Sequence, residues 1–218
     1  MCGNAPLHPY CFATSHALER FGDSKLKKTI WIPIVGGLIF GALSYLTTVA
    51  NLTITISKDL ILGPWEIINA LSAALFGPIG LLITELGLDT SGYLYFIKGV
   101  YPSPQDIYFM MGNYIAHIVA MMIVAFGYRF IYQRMKMPRL LAGWVLIMGI
   151  YYLVGVILQV TLFNIAIPGL EATYVVYFSN VRLEFILVTV ITSLILLALP
   201  EHYLRPWWYE SKPAETRA

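Results

Sequence analysis

The run Ala73-Ala-Leu-Phe-Gly-Pro-Ile-Gly-Leu-Leu-Ile-Thr-Glu-Leu-Gly-Leu-Asp89 limits this chain more than any other stretch. Two apolar segments meet at Gly77-Pro78, a dipeptide that punctuates helices. The second segment then carries Glu85 and Asp89 through what should be lipid-depth helix. A charge at the centre of a spanning helix costs about 2.5–3.5 kcal/mol even on lenient scales. Carboxylates in such a place face a bundle interior or a polar cavity. The run therefore predicts a polytopic membrane protein with a polar interior.

Composition agrees. The 218 residues are 58% hydrophobic and only 12% charged, against about 25% charged in a soluble domain, and the mean hydropathy is +0.71. The chain is expected to be one membrane domain, residues 29–200, between a cytoplasmic N-terminal tail, 1–28, and a cytoplasmic C-terminal tail, 201–218. The basic residues are scattered and form no stripe, so no nucleic-acid partner is expected. The first residues lack the basic-then-apolar order of a removable signal peptide. Cys2 and Cys11, with His8 and His16 nearby, match no standard zinc spacing. Neither a metal nor a cofactor is expected.

The hydrophobic pattern predicts an all-α membrane protein with six transmembrane helices, over 29–50, 60–77, 79–97, 107–132, 139–165 and 175–199. The second and third are short: about 18 residues at 1.5 Å per residue reach only roughly 27 Å, barely a hydrocarbon core. Pro64 falls in a first helical turn, where its missing N–H does least harm. Arg20, Lys25, Lys27 and Lys28 precede the first helix. Arg129, Arg134, Lys136 and Arg139 gather at the fourth-to-fifth junction, and Arg205, Lys212 and Arg217 follow the sixth helix. The other side carries only Lys58, Lys98 and Arg182. The positive-inside rule then places both termini in the cytoplasm. Trp207 and Trp208, with Tyr203 and Tyr209, suit an inner interfacial belt.

Helical rise gives the depth of the polar residues. Glu66 and Asn69 fall in the outer half of the second helix. Asn113 and His117 share a stripe with Asp106 on the fourth. Tyr152, Gly155 and Gln159 share a face of the fifth, and Asn180 and Glu184 form an i,i+4 pair on the sixth. The inner half of these last three helices is almost entirely aliphatic. A pocket open to the outside and closed below follows from that asymmetry, whereas an ion path would need polar groups further down. Glu66, Asn113, His117, Gln159, Asn180 and Glu184 are the expected substrate-binding residues. Each has a plainer use: the amides can hydrogen-bond between helices, and the histidine can be a satisfied core residue. Acids outnumber cations in this set, and Trp65, Tyr108 and Tyr174 lie near it, which suits a small polar aromatic ligand with some cationic character. Glu85 and Asp89 are expected to pair with another helix or partner. On the first helix Gly37, Gly41, Ser44 and Thr48 make a small-residue stripe that would admit another helix closely, from this bundle or from another subunit.

With these residues in view, the chain resembles a substrate-binding subunit of an energy-coupling factor transporter. The resemblance rests on Ala74-Leu-Phe-Gly-Pro-Ile-Gly80 followed by Glu85-Leu-Gly-Leu-Asp89, on Pro102-Ser-Pro104 before the fourth helix, and on the last helix from Asn180 to Pro200. It covers residues 29–200. It implies capture of a vitamin or similar micronutrient outside the cell, delivered through a membrane coupling subunit and two cytoplasmic ATPases. It also implies a docking motif on the first helix, matched here by Gly37 and Gly41 where the family has alanines. No Gly-x-x-x-x-Gly-Lys-Ser/Thr occurs, so ATP hydrolysis would belong to a partner. The alternatives are a membrane-embedded enzyme using Glu66, His117 and Glu184, or a structural membrane protein. Against the enzyme, no His-Glu-x-x-His, Gly-x-Ser-x-Gly or Asp-x-x-Asp motif is present.

Overall fold

The computed structural model describes residues 10–50, 52, 54–57, 60–97, 104–166 and 174–208. The order is α1 (Tyr10–Val49), β1 (Ile54–Ser57), β2 (Leu60–Leu62), α2 (Pro64–Ile97), α3 (Pro104–Arg134), α4 (Arg139–Ala166) and α5 (Tyr174–Ala198), then a short 3-10 turn, Glu201–Tyr203. Five of the helices are long and apolar enough to cross a membrane. The described residues are thus almost wholly helical and compatible with a multi-pass membrane protein. The loops holding Lys58 and Lys98, the tail with Cys2 and His8, and the side chains of Cys11 and His16 lie outside the described residues.

Both α2 and α3 begin on a proline, Pro64 and Pro104, whose fixed φ suits the first helical position and whose absent N–H would have no partner there. α3 ends on Arg134, a cation at the negative end of the helix dipole. Two boundaries differ from expectation. α1 continues back to Tyr10, well before its apolar part, Ile30–Val49. The second helix was expected from residue 60, but Leu60–Leu62 instead pairs antiparallel with Ile54–Ser57. β-Branched Ile and Thr alternate here, and β2 packs on α5.

The break expected at Gly77-Pro78 is present inside α2. Gly77 has φ 67 and ψ −157, a conformation essentially confined to glycine. The halves on either side lie alongside each other. Ser72 and Thr84 hydroxyls are 2.7 Å apart, and Asn69 Nδ2 donates to Glu85 Oε1 at 2.9 Å. Twelve residues of straight helix would put Ser72 and Thr84 about 18 Å apart, so the chain reverses at Gly77.

The turn is sealed from the C-terminal side. The backbone N–H of Trp207 donates to the carbonyl of Leu75 at 2.7 Å. A Cβ on Gly77 would come within 2.4 Å of the Trp208 indole. Trp208 also meets Phe126 edge-on, with the Arg129 guanidinium 4.9 Å from its ring centroid. These tryptophans therefore cap the reversal of α2, besides any role at an interface.

The small-residue stripe of α1 is covered within the chain. Gly37 and Gly41 are buried. A Cβ on Gly37 would lie 2.8 Å from the carbonyl of Gly80, and one on Gly87 only 2.2 Å from the carbonyl of Gly41. Thr84 ties the elements together: its hydroxyl contacts the carbonyls of Gly80 at 2.9 Å and Gly37 at 3.4 Å. Gly37 and Gly41, expected to dock a partner, are thus packed against the second half of α2 within the chain. Backbone approaches backbone there, between α1 and the second half of α2, leaving no room for another helix. The residues of α1 that do face outward are large and apolar, including Trp31, Leu38, Ile39 and Leu46.

Candidate functional site

Two ends of the bundle differ in chemistry. One end carries the Gly77 turn, the α3–α4 junction and the segment after α5. There Tyr128 donates to the Leu204 carbonyl at 2.8 Å, and Trp144 Nε1 donates to Thr192 Oγ1 at 3.1 Å. Tyr128 and Trp144 are fully buried and meet edge-to-face, with centroids 5.6 Å apart. Met121, Val124, Met148 and Leu196 fill the space around them. This half is solid.

Nearer the opposite end, the start of α2 and the middle parts of α3, α4 and α5 enclose a cavity of about 240 Å³. Its walls carry Glu66 from α2, Asn113 and His117 from α3, Gln159 from α4 and Glu184 from α5. Trp65, Tyr151, Tyr152 and Phe185 supply aromatic surface, and Met148 and Val188 face it from the packed side. Five of the six residues expected to bind substrate thus share one cavity. The sixth, Asn180, sits on α5, and its side chain lies outside the described residues.

The polar groups are organised around His117, which is 7% exposed. Its Nε2 is 3.1 Å from Glu66 Oε2, and its Nδ1 is 2.9 Å from Glu85 Oε1. Tyr151 donates to the same Glu66 oxygen at 3.2 Å, and Asn69 to the same Glu85 oxygen. Glu66 and His117 thus both line the cavity, while Glu85, 1% exposed, holds the far side of the ring. Across the cavity Gln159 donates its amide N–H to Asn113 Oδ1, linking α4 to α3. Tyr152 stacks on Phe185, with centroids 4.5 Å apart and planes 21° apart, and donates to the Phe178 carbonyl at 3.0 Å. Glu184 has no hydrogen-bond partner among the described residues. Arg182 is exposed on the other side of α5.

Glu85 was not expected here. Its depth on the sequence placed it in the inner half, away from the outer polar set. The reversal at Gly77 brings it level with Asn69, sixteen residues earlier, and so behind His117. Tyr151 and Phe185 were also missed, because tyrosine and phenylalanine on an apolar helix carry no signal that separates a cavity wall from lipid-facing surface. Tyr174 is exposed and pairs with Thr161 at 3.1 Å, away from the cavity lining; the Tyr108 side chain lies outside the described residues. Asp89 lies one turn beyond Glu85 and does not line the cavity. Among the described residues no cluster of His, Cys, Asp and Glu could hold a metal ion.

The arrangement can do two things. It can present carboxylates and amides to a small molecule held between aromatic faces. It can also hold a proton between Glu66 and Glu85. Comparison with protein families, with curated proteins and with solved structures gives no match for this chain.

Proposed function

We propose that this protein is the substrate-capturing subunit of an energy-coupling factor type importer, taking up a vitamin or similar micronutrient for ATP-driven uptake by partner subunits. The observation that carries the reading is a polar, aromatic cavity of about 240 Å³ in one half of the bundle, separated from the other end by a layer of buried side chains. A capture subunit needs a site it can fill from one side and no path of its own to the other. The sequence resemblance at Ala74–Gly80 and Glu85–Asp89 supplies the family.

In this reading α2 counts as two spans, which makes six, with both termini in the cytoplasm. The first half, from Pro64 to Gly77, reaches only about 21 Å and is shorter than the hydrocarbon core. Arg129, Arg134, Lys136, Arg139 and Arg205 mark the cytoplasmic end under the positive-inside rule, so the cavity faces outward. The ligand is small and aromatic, with hydrogen-bond donors for Glu66, Glu184 and the Asn113–Gln159 pair. Docking to a coupling subunit uses a surface other than the Gly37 and Gly41 stripe.

Mass spectrometry of small molecules retained by the purified protein, with co-purification of an ATPase pair and a membrane coupling subunit, tests this. A retained micronutrient together with those subunits is the expected result. Turnover of a substrate by the isolated chain, with no such partners, would overturn it in favour of an enzyme built on Glu66, His117 and Glu184.

A further inference from the structure

Both ring nitrogens of His117 face a carboxyl group. A neutral imidazole has one N–H and one bare nitrogen. Here both nitrogens lie within hydrogen-bond reach of a carboxylate oxygen, at 3.1 and 2.9 Å. Each of those oxygens already accepts from a second donor, Tyr151 on Glu66 and Asn69 on Glu85. With both carboxyl groups ionised, both ring nitrogens donate. Glu66, His117 and Glu85 together then carry two negative charges and one positive charge, a net of −1.

Of the two carboxylates in this trio only Glu66 lines the cavity, together with Glu184; Glu85 is buried behind the ring. A cationic nitrogen entering the cavity meets Glu66 Oε2, the oxygen that His117 Nε2–H already uses. In a low-dielectric interior an added unpaired charge is costly. If the cation takes over Glu66 and the ring loses its Nε2 proton, the net charge of trio plus ligand stays at −1. The neutral ring keeps its Nδ1–H on Glu85, which is the tautomer that Asn69 and Glu85 already hold in place.

Resting on the capture function given above, we propose that the cavity binds a ligand with a cationic nitrogen in exchange for a proton from His117. Glu66 receives the cation, the Nε2 proton leaves through the cavity to water, and Glu85 positions the ring. The groups acting on His117 from the surrounding elements are Glu66 and Glu85 on the two halves of α2, Tyr151 on α4, Glu184 on α5, and Asp89 one turn beyond Glu85. Glu184 is the competing source of a released proton, because it also lines the cavity.

Benzamidine, an aromatic cation across the pH range used, and its neutral analogue benzamide are the probes. Calorimetric titration of the full-length protein in buffers of different ionisation enthalpy counts protons. The expected result is release of about one proton per benzamidine, with affinity rising roughly tenfold per pH unit while the trio holds its proton and levelling off above that range, by linkage. Benzamide binds more weakly and releases none. The release disappears in His117→Gln and persists in Glu184→Gln. A measurement that keeps His117 uses the protein in which His8, His16 and His202 are replaced by Gln. In it, ¹⁵N shifts of the one remaining imidazole should report two protonated nitrogens without benzamidine and one with it. Benzamidine binding without proton release, release that follows Glu184 instead, or a ring unchanged on binding each overturn the exchange. Equal binding of the two probes overturns the cation requirement. Should benzamidine fail to bind while a micronutrient is found on the purified protein, the exchange fails and the capture function stands. No benzamidine binding and no retained molecule removes both.

Discussion

The two halves of this bundle solve the same problem in opposite ways. In both, polar side chains are buried among apolar helices, where an unpaired group is expensive. The solid half uses them singly as cross-links: Trp144 to Thr192, Tyr128 to a backbone carbonyl, each inside an apolar layer. The cavity half groups them, as Glu66, His117 and Glu85 with Asn69 and Tyr151, or Asn113 with Gln159, and leaves Glu184 over. A cross-link stiffens what is already packed. A cluster with a residue to spare leaves hydrogen-bonding capacity pointing into space. The difference separates structural polar residues from those available to a ligand more clearly than residue type or depth does.

Mutations test that contrast. The largest effect is expected from glycines. At Gly87 a side chain would meet the Gly41 carbonyl at 2.2 Å, whereas at Gly155, on the cavity wall, a Cβ would meet Ala120 at an ordinary 3.6 Å. Overpacking costs about 1–3 kcal/mol or more where neighbours cannot move, and backbone cannot. Gly87→Leu should abolish a monodisperse peak in size-exclusion chromatography, while Gly155→Ala should run as wild type. Equal behaviour of the two would mean that α1 and α2 are not held backbone to backbone.

Next comes the solid half. Trp144→Ala removes a fully buried indole and should lower stability by about 3–5 kcal/mol, read as a fall in the midpoint of thermal unfolding in detergent. A shift no larger than that of a surface mutant would show the half to be loosely packed. Thr192→Val keeps the shape and removes the hydroxyl that accepts from Trp144 Nε1 and donates to the Val188 carbonyl. It should cost about 1–3 kcal/mol, a smaller fall by the same assay.

The smallest effect on stability should come from the cavity. Glu184→Gln touches no hydrogen bond and should shift unfolding by no more than about 0.5 kcal/mol. Yet a hydrogen bond to a charged group is worth about 1.5–3 kcal/mol, so affinity for benzamidine should fall roughly ten- to a hundredfold. Asp89→Asn, outside the cavity lining, should change that affinity less. Calorimetry on both variants decides it. Loss of binding in Asp89→Asn with none in Glu184→Gln would put the ligand site elsewhere.

Much of the site was legible because ionisable and amide residues are rare in a chain of this composition, and helical rise fixes their depth. Glu66, Asn113, His117, Gln159 and Glu184 stand out on four apolar segments for that reason, and the structure gathers them in one cavity. The Gly77-Pro78 break was legible for a similar reason: few dipeptides interrupt an apolar run so sharply, and φ 67 at Gly77 is the backbone consequence. The β1–β2 hairpin was not, since a short apolar run before Pro64 reads equally as helix or strand.

What the sequence determined by itself is the solvent of this protein and the depth of its polar groups, both of which depend on position along single helices. Who pairs with whom depends on how the helices are rotated and folded back against one another, and that was decided only in three dimensions. The stripe of Gly37 and Gly41 fits a partner subunit or a neighbouring helix equally well on paper; the reversal at Gly77 presents Gly80, Gly87 and Thr84 to it and settles the matter within the chain. The same reversal carries Glu85 behind His117. Small residues and buried charges specify that something must come close. They do not specify what, because close approach and charge pairing are properties of two surfaces, and the sequence of one helix describes only one of them.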